Sequence, residues 1–125
     1  MKNIIAILIT TLIASCDSKV YNPTEFFLIN NADTSIDVTA SALVRYSEGY
    51  KEETIHDLIQ SGDTVSMRKI NATDSVDISD VFTKIEISSG SDVLKIDPMK
   101  KEYWKVSKDP SGNVKFTLVL DNSSF

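Results

Sequence analysis

The side chains able to do chemistry in this chain are few and scattered. Cys16 is the only cysteine among 125 residues, so no disulfide framework can form within the chain. His56 is the only histidine and is followed by Asp57; a histidine held by an acid is the arrangement of a general base. Neighbours on an extended strand point to opposite faces, however, so adjacency alone predicts a solvated surface histidine. Asp74, Asp77 and Asp80 recur every third residue, and gathered carboxylates can hold calcium through hard oxygen ligands. The spacing lacks the alternate acids and central glycine of an EF-hand loop, so the expectation is a solvated loop whose Asp and Ser side chains cap local turns. Tyr46, Tyr50, Tyr103 and Trp104 have the apolar faces and polar edges of a platform for sugars or peptides, although in a small β domain such rings more often pack. One histidine and one cysteine do not supply the ligands of a zinc site or the partners of a catalytic thiol. No catalytic residue, metal site or cofactor is expected, and the chain is not read as an enzyme.

The position of Cys16 is more informative than its type. The chain opens with Lys2, runs through Ile4-Ile5-Ala6-Ile7-Leu8-Ile9 and Leu12-Ile13, and shrinks to Ala14-Ser15 before the cysteine. A charged start, an apolar core and a small-residue exit form the layout of a secretory signal. As a helix, Ile4 to Ser15 would be about 18 Å long against a hydrocarbon core of roughly 30 Å, too short for a stable span. The four residues Ile13-Ala14-Ser15-Cys16 resemble the lipobox of bacterial lipoproteins. That resemblance implies a thioether-linked diacylglyceryl group on Cys16, cleavage on its N-terminal side, and N-acylation by a palmitate-like chain. It also implies a place in the bacterial cell envelope, with the outer membrane as the expected destination. Each buried methylene adds about 0.8 kcal/mol and stable anchoring takes at least two lipid signals, so a multiply acylated cysteine holds firmly.

The expected organisation is a signal peptide over 1–15, a lipidated cysteine and tether over 16–24, and one domain over 25–125. After Cys16 the segment Asp17-Ser18-Lys19-Val20-Tyr21-Asn22-Pro23-Thr24 is polar and broken by proline. Its eight residues reach roughly 26 Å when extended, so the domain should sit close to the membrane. With 42% hydrophobic and 25% charged residues, the composition is that of an ordinary globular domain. Of the 13 basic residues only Lys2 lies within 1–15, which leaves 12 against 18 acids, a net charge of −6. Such a balance repels nucleic acid phosphates, so no nucleic acid partner is expected, and as an average it also disfavours anionic lipid surfaces.

From Glu25 onward the apolar residues fall in short runs of period two, separated by Asn, Asp, Ser and Gly. Strands are expected at Phe26 to Ile29, at Ile36 to Tyr46, at Thr64 to Ile70, at Thr83 to Ser88 and at Val93 to Ile96. Two more are expected at Tyr103 to Ser107 and Val114 to Leu120. The stretch Tyr50 to Ile59 mixes helical and extended spacing and is read as an edge strand. About seven short strands without a long helix predict an all-β fold, an antiparallel sandwich of immunoglobulin-like or transthyretin-like type; a closed barrel is the alternative.

Asp63-Thr64-Val65 and Asp74-Ser75-Val76 resemble the acceptor motif of the O-glycosylation system of Bacteroides-type bacteria, which makes Thr64 and Ser75 candidate modification sites. The late Trp104, the closing Phe116-Thr117-Leu118 strand and the lipobox together resemble the small all-β lipoproteins of such bacteria. The expected role is a non-enzymatic binding or envelope-assembly module, held to the membrane by its lipid and showing loops or a sheet edge to an envelope protein partner. The alternative is a surface lipoprotein that binds carbohydrate or calcium.

Overall fold

The computed structural model describes residues 22–72 and 75–125. The leader, Cys16 and Asp74 lie outside the described residues. The described residues form eight strands: β1 (Asn22–Asn30), β2 (Ile36–Tyr46), β3 (Gly49–Ile59), β4 (Thr64–Ala72), β5 (Lys84–Ser89), β6 (Asp92–Val93), β7 (Lys105–Lys108) and β8 (Val114–Leu120). A four-residue helix, α1 (Ile78–Val81), sits between β4 and β5. The strands make two sheets, the first in the order β4-β1-β8-β7 and the second in the order β3-β2-β5-β6. This is the expected all-β sandwich, with one departure from antiparallel pairing. β1 and β8 run parallel, from Thr24 opposite Val114 to Asn30 opposite Leu120. No local pattern encodes that pairing, because its partners are about 90 residues apart.

Alternation decides which side chains meet between the sheets. In β8, Val114, Phe116, Leu118 and Leu120 are buried, while Lys115, Thr117 and Val119 face outward. In β1, Thr24, Phe26, Leu28 and Asn30 are buried in the same way. Phe26 is the centre of the core: its ring stacks on Phe116 at 4.8 Å between centroids and meets Phe82 edge-on at 5.4 Å and Trp104 at 6.0 Å. Each such fully buried side chain contributes about 1.5–3 kcal/mol. Arg68, whose β4 position points inward at a sheet edge, donates from Nη1 to the Val81 carbonyl of α1 at 3.1 Å and from Nη2 to the Leu43 carbonyl of β2, in the other sheet, at 3.4 Å.

Several expected boundaries move. Asn22, Pro23 and Thr24, which the sequence reading assigns to the tether, lie in β1. Pro23 is tolerated there because it pairs with Asn71 of β4, while pairing with β8 starts one residue later at Thr24. The strand expected at Val93 to Ile96 contracts to Asp92–Val93, because Lys95 turns its N–H to the Ser124 carbonyl at 2.8 Å instead of to β5. Lys101–Tyr103 form a 3-10 turn, closed by the Trp104 N–H on the Lys101 carbonyl at 3.0 Å, so β7 starts at Lys105 rather than Tyr103. The ambiguous stretch before Ile59 is an edge strand, paired with β2 over its whole length.

Candidate binding surface

The strand edges differ in how they meet solvent. β3 is an edge lined with Lys51, Glu52, Glu53, His56 and Asp57; β7 is an edge of four residues that carries Lys105 and Lys108. β4 is irregular at its middle, where the register with β1 shifts so that Met67 has no partner. Charge, shortness and irregularity are the usual protections of an edge against pairing with another chain. β5 is different. β2 covers one side of it from Lys84 to Ser88, but on the other side β6 meets only Ser88 and Ser89. Among the described residues no strand pairs with that side of Lys84–Ile87.

Beside this open stretch lies a groove of about 710 Å³, a volume in the range of ordinary ligand sites. Ile85, Ile87, Val93, Leu94, Ile96 and Pro98 supply its apolar lining, and Asp37, Glu86 and Asp97 its charge; no lysine or arginine lines it. Val93 is 74% exposed, a large apolar side chain left in water at the groove mouth. The groove exists because Lys95 is drawn to the C-terminal turn, so the chain after β6 leaves the sheet instead of extending it. Each of the three carboxylates already has a neighbour: Glu86 meets Lys84 at 2.8 Å, Asp37 Oδ1 lies 3.9 Å from His56 Nε2, and Asp97 Oδ1 accepts the Met99 N–H at 3.0 Å. That contact with Glu86 raises the Lys84 pKa above its ordinary value, first through the hydrogen bond and then through the charge.

The single histidine lies at the rim of this groove. Its Nδ1 is 2.8 Å from Thr39 Oγ1, and its Nε2 is 3.9 Å from Asp37 Oδ1. Asp57, its sequence neighbour, pairs with Val38 and points to the other side of the sheet. The hydroxyl, imidazole and carboxylate thus come together from two strands, yet the His56 and Asp37 side chains are 67% and 48% exposed. Water competes for every bond there, and an exposed pair of this kind contributes about 0–1 kcal/mol. His56 stands where the sequence places it, at the surface.

The other candidates separate. Trp104 is buried and donates from Nε1 to the Pro98 carbonyl at 2.8 Å, as expected of a core ring. The tyrosines are not core: Tyr46, Tyr50 and Tyr103 are 41%, 68% and 41% exposed. Tyr46 and Tyr50 share the tip of the β2–β3 hairpin, where both strands run on past the end of β5, while Tyr103 precedes β7 of the other sheet. The four rings therefore make no common platform. Asp77 caps α1, with Oδ1 accepting from the Ile78 N–H at 2.7 Å, and Asp80 Oδ2 accepts the Asp77 N–H at 3.0 Å. These two carboxylates are occupied by the capping box of a helix. Among the described residues no three His, Cys, Asp or Glu side chains gather into a metal site. Thr64 and Ser75 are both exposed, Thr64 as the first residue of β4 and Ser75 in the turn before α1.

The groove and the open edge were missed in the sequence, which could have signalled them only through Gly90-Ser91, the two-residue loop that turns β5 into β6, followed so closely by Pro98. No family model matches the chain, and neither a curated protein nor a solved structure matches it significantly.

Proposed function

We propose that this chain is a lipid-anchored envelope protein that binds an extended segment of a partner along β5 and performs no catalysis. The observation that carries this reading is the open side of Lys84–Ile87 beside the 710 Å³ groove. An unpaired strand edge offers a row of backbone donors and acceptors, and neighbouring pockets choose the side chains of the added strand. Antiparallel addition is favoured, since β5 already pairs that way with β2. The lining fixes the partner's chemistry: apolar groups beside acids, with no lysine or arginine among them, suit a strand in which apolar residues alternate with Lys or Arg. The lipobox-like Ile13-Ala14-Ser15-Cys16 supports the anchor, and Asn22, six residues on, can lie no more than roughly 22 Å from the lipidated cysteine even with the intervening chain fully extended.

The test uses full-length protein extracted from membranes, with amide exchange read on β5 in the presence of short peptides. An alternating Val-Lys peptide should protect Lys84–Ile87 and Val93, and Asp37→Lys with Asp97→Lys should remove that protection. Equal protection by an alternating Val-Glu peptide, or none by either, would end the strand-addition reading.

The exposed Tyr46, Tyr50 and Leu43 at the β2–β3 tip favour a second reading, carbohydrate binding by stacking. A glycan that protects the hairpin tip and leaves β5 unchanged would support it over the first.

A further inference from the structure

The outward faces of the two sheets differ in charge. Strand register places three cross-strand rows on the outside of the first sheet: Lys69, Glu25, Lys115 and Ser107; then Ser66, Phe27, Thr117 and Lys105; then Thr64, Ile29 and Val119. Glu25 is the one acid in these rows. It is already engaged, accepting from Ser66 Oγ at 2.6 Å with Lys69 Nζ at 3.9 Å. Lys115 lies 5.7 Å from the centre of the Phe27 ring, so its stem and the ring cover each other. Val119 is 45% exposed. The face thus carries three lysines around an apolar strip. On the second sheet the corresponding outward rows hold Asp37, Glu86 and Glu52 against Lys84 and Arg45.

We infer that the outer face of the first sheet rests on an anionic lipid surface, which turns the β5 groove away from the membrane toward its partner. The inference rests on the anchor proposed above, and two observations carry it from there. Asn22, the first described residue, lies in a central strand of this sheet, and the lysine-bearing rows are those nearest it. A lipid on Cys16 holds Asn22 within a few residues of the headgroups. The charge is complementary: lysines near an anionic surface are attracted within a Debye length, whatever the net charge of the rest of the molecule. The net charge of −6 is therefore a poor guide to this face, because most of the acids lie elsewhere.

The test uses full-length protein extracted from membranes and reconstituted into vesicles. With Cys16 consumed by lipid, an introduced cysteine is the one thiol open to a fluorophore. Ser107→Cys marks the first sheet and Thr54→Cys the second, and a headgroup-level quencher in the lipid reads their distance from the surface. In vesicles of phosphatidylglycerol and phosphatidylethanolamine the label at 107 should be quenched and the label at 54 should not. High salt, phosphatidylcholine vesicles, or the triple change Lys69→Glu, Lys105→Glu and Lys115→Glu should each abolish that contrast. Folding of the triple variant is checked by Trp104 emission. Equal quenching at both positions, quenching at neither, or a contrast that survives the triple change would overturn the orientation while the protein still floats with its vesicles. Failure to float would instead overturn the anchor, and the orientation with it.

Discussion

The Asn30 side chain donates from Nδ2 to the Ile59 carbonyl at 2.9 Å, joining the last residue of β1 in one sheet to the last residue of β3 in the other. The same amide donates to the Thr34 carbonyl at 3.0 Å, and its Oδ1 accepts the Ala32 N–H at 2.9 Å. Asn30 is fully buried, so nothing but these groups satisfies it. Asn30→Ala would leave two buried backbone groups and one part-buried one without their partner and should lower stability by about 2–4 kcal/mol. Urea unfolding should show a lower midpoint with an unchanged slope. Asn30→Asp should be no better, since a carboxylate cannot make the two donations.

Trp104 offers a second measure of the core. Trp104→Phe keeps the edge-on contact with Phe26 but loses the bond to Pro98, and should cost about 1–2 kcal/mol. Trp104→Ala also leaves a cavity and should cost about 3–5 kcal/mol. As the chain has one tryptophan, its emission should be blue-shifted in the native protein and move to the red in a single transition on unfolding.

Acid should loosen the C-terminus first. The Asp121 carboxyl is held below its ordinary value of 3.8 by hydrogen bonds from Ser123, side chain and backbone, and then from Ser124. A depressed carboxylate favours the folded state above the unfolded value, and that contribution is lost as pH falls through the lower folded value. Below about pH 4, amide exchange at Ser123 and Ser124 should therefore accelerate in the native chain. In Asp121→Asn that added pH dependence should be absent. Lys84 has the opposite sign: its pKa is raised by Glu86, so its contribution is complete below 10.5 and declines only in stronger alkali.

Some of this architecture is legible residue by residue and some is not. β8 announces itself because Val114, Phe116, Leu118 and Leu120 alternate with residues suited to water. The edge role of β3 shows in its charges. Asn30 misleads, because Asn beside Asn31 has turn chemistry, whereas its side chain is used inside the fold to tie the end of β3 to the bend between β1 and β2. The tyrosines mislead in the other direction: Tyr46 and Tyr50 look like packing until the β2–β3 hairpin is seen to outrun its neighbour β5. The groove is not legible, since it depends on Lys95 meeting Ser124, a contact between segments that no local spacing records. Asp77 and Asp80 were readable as turn caps, because three-residue spacing of acids is also the spacing of a capping box.

Loss of the thiol should release the protein. Cys16→Ala should appear as unprocessed or soluble chain when membranes are fractionated, with the sandwich intact by Trp104 emission. Cys16→Ser should behave the same way, because a hydroxyl does not form the thioether.

The most direct measurement is the intact mass of the native protein extracted from membranes, with its N-terminal residue identified. A lipoprotein gives a chain that begins at Cys16 and carries the mass of a diacylglyceryl group, with or without a further acyl chain. A chain that begins at any other residue, or one that begins at Cys16 with the sulfur bare, contradicts the anchor and the membrane orientation built on it.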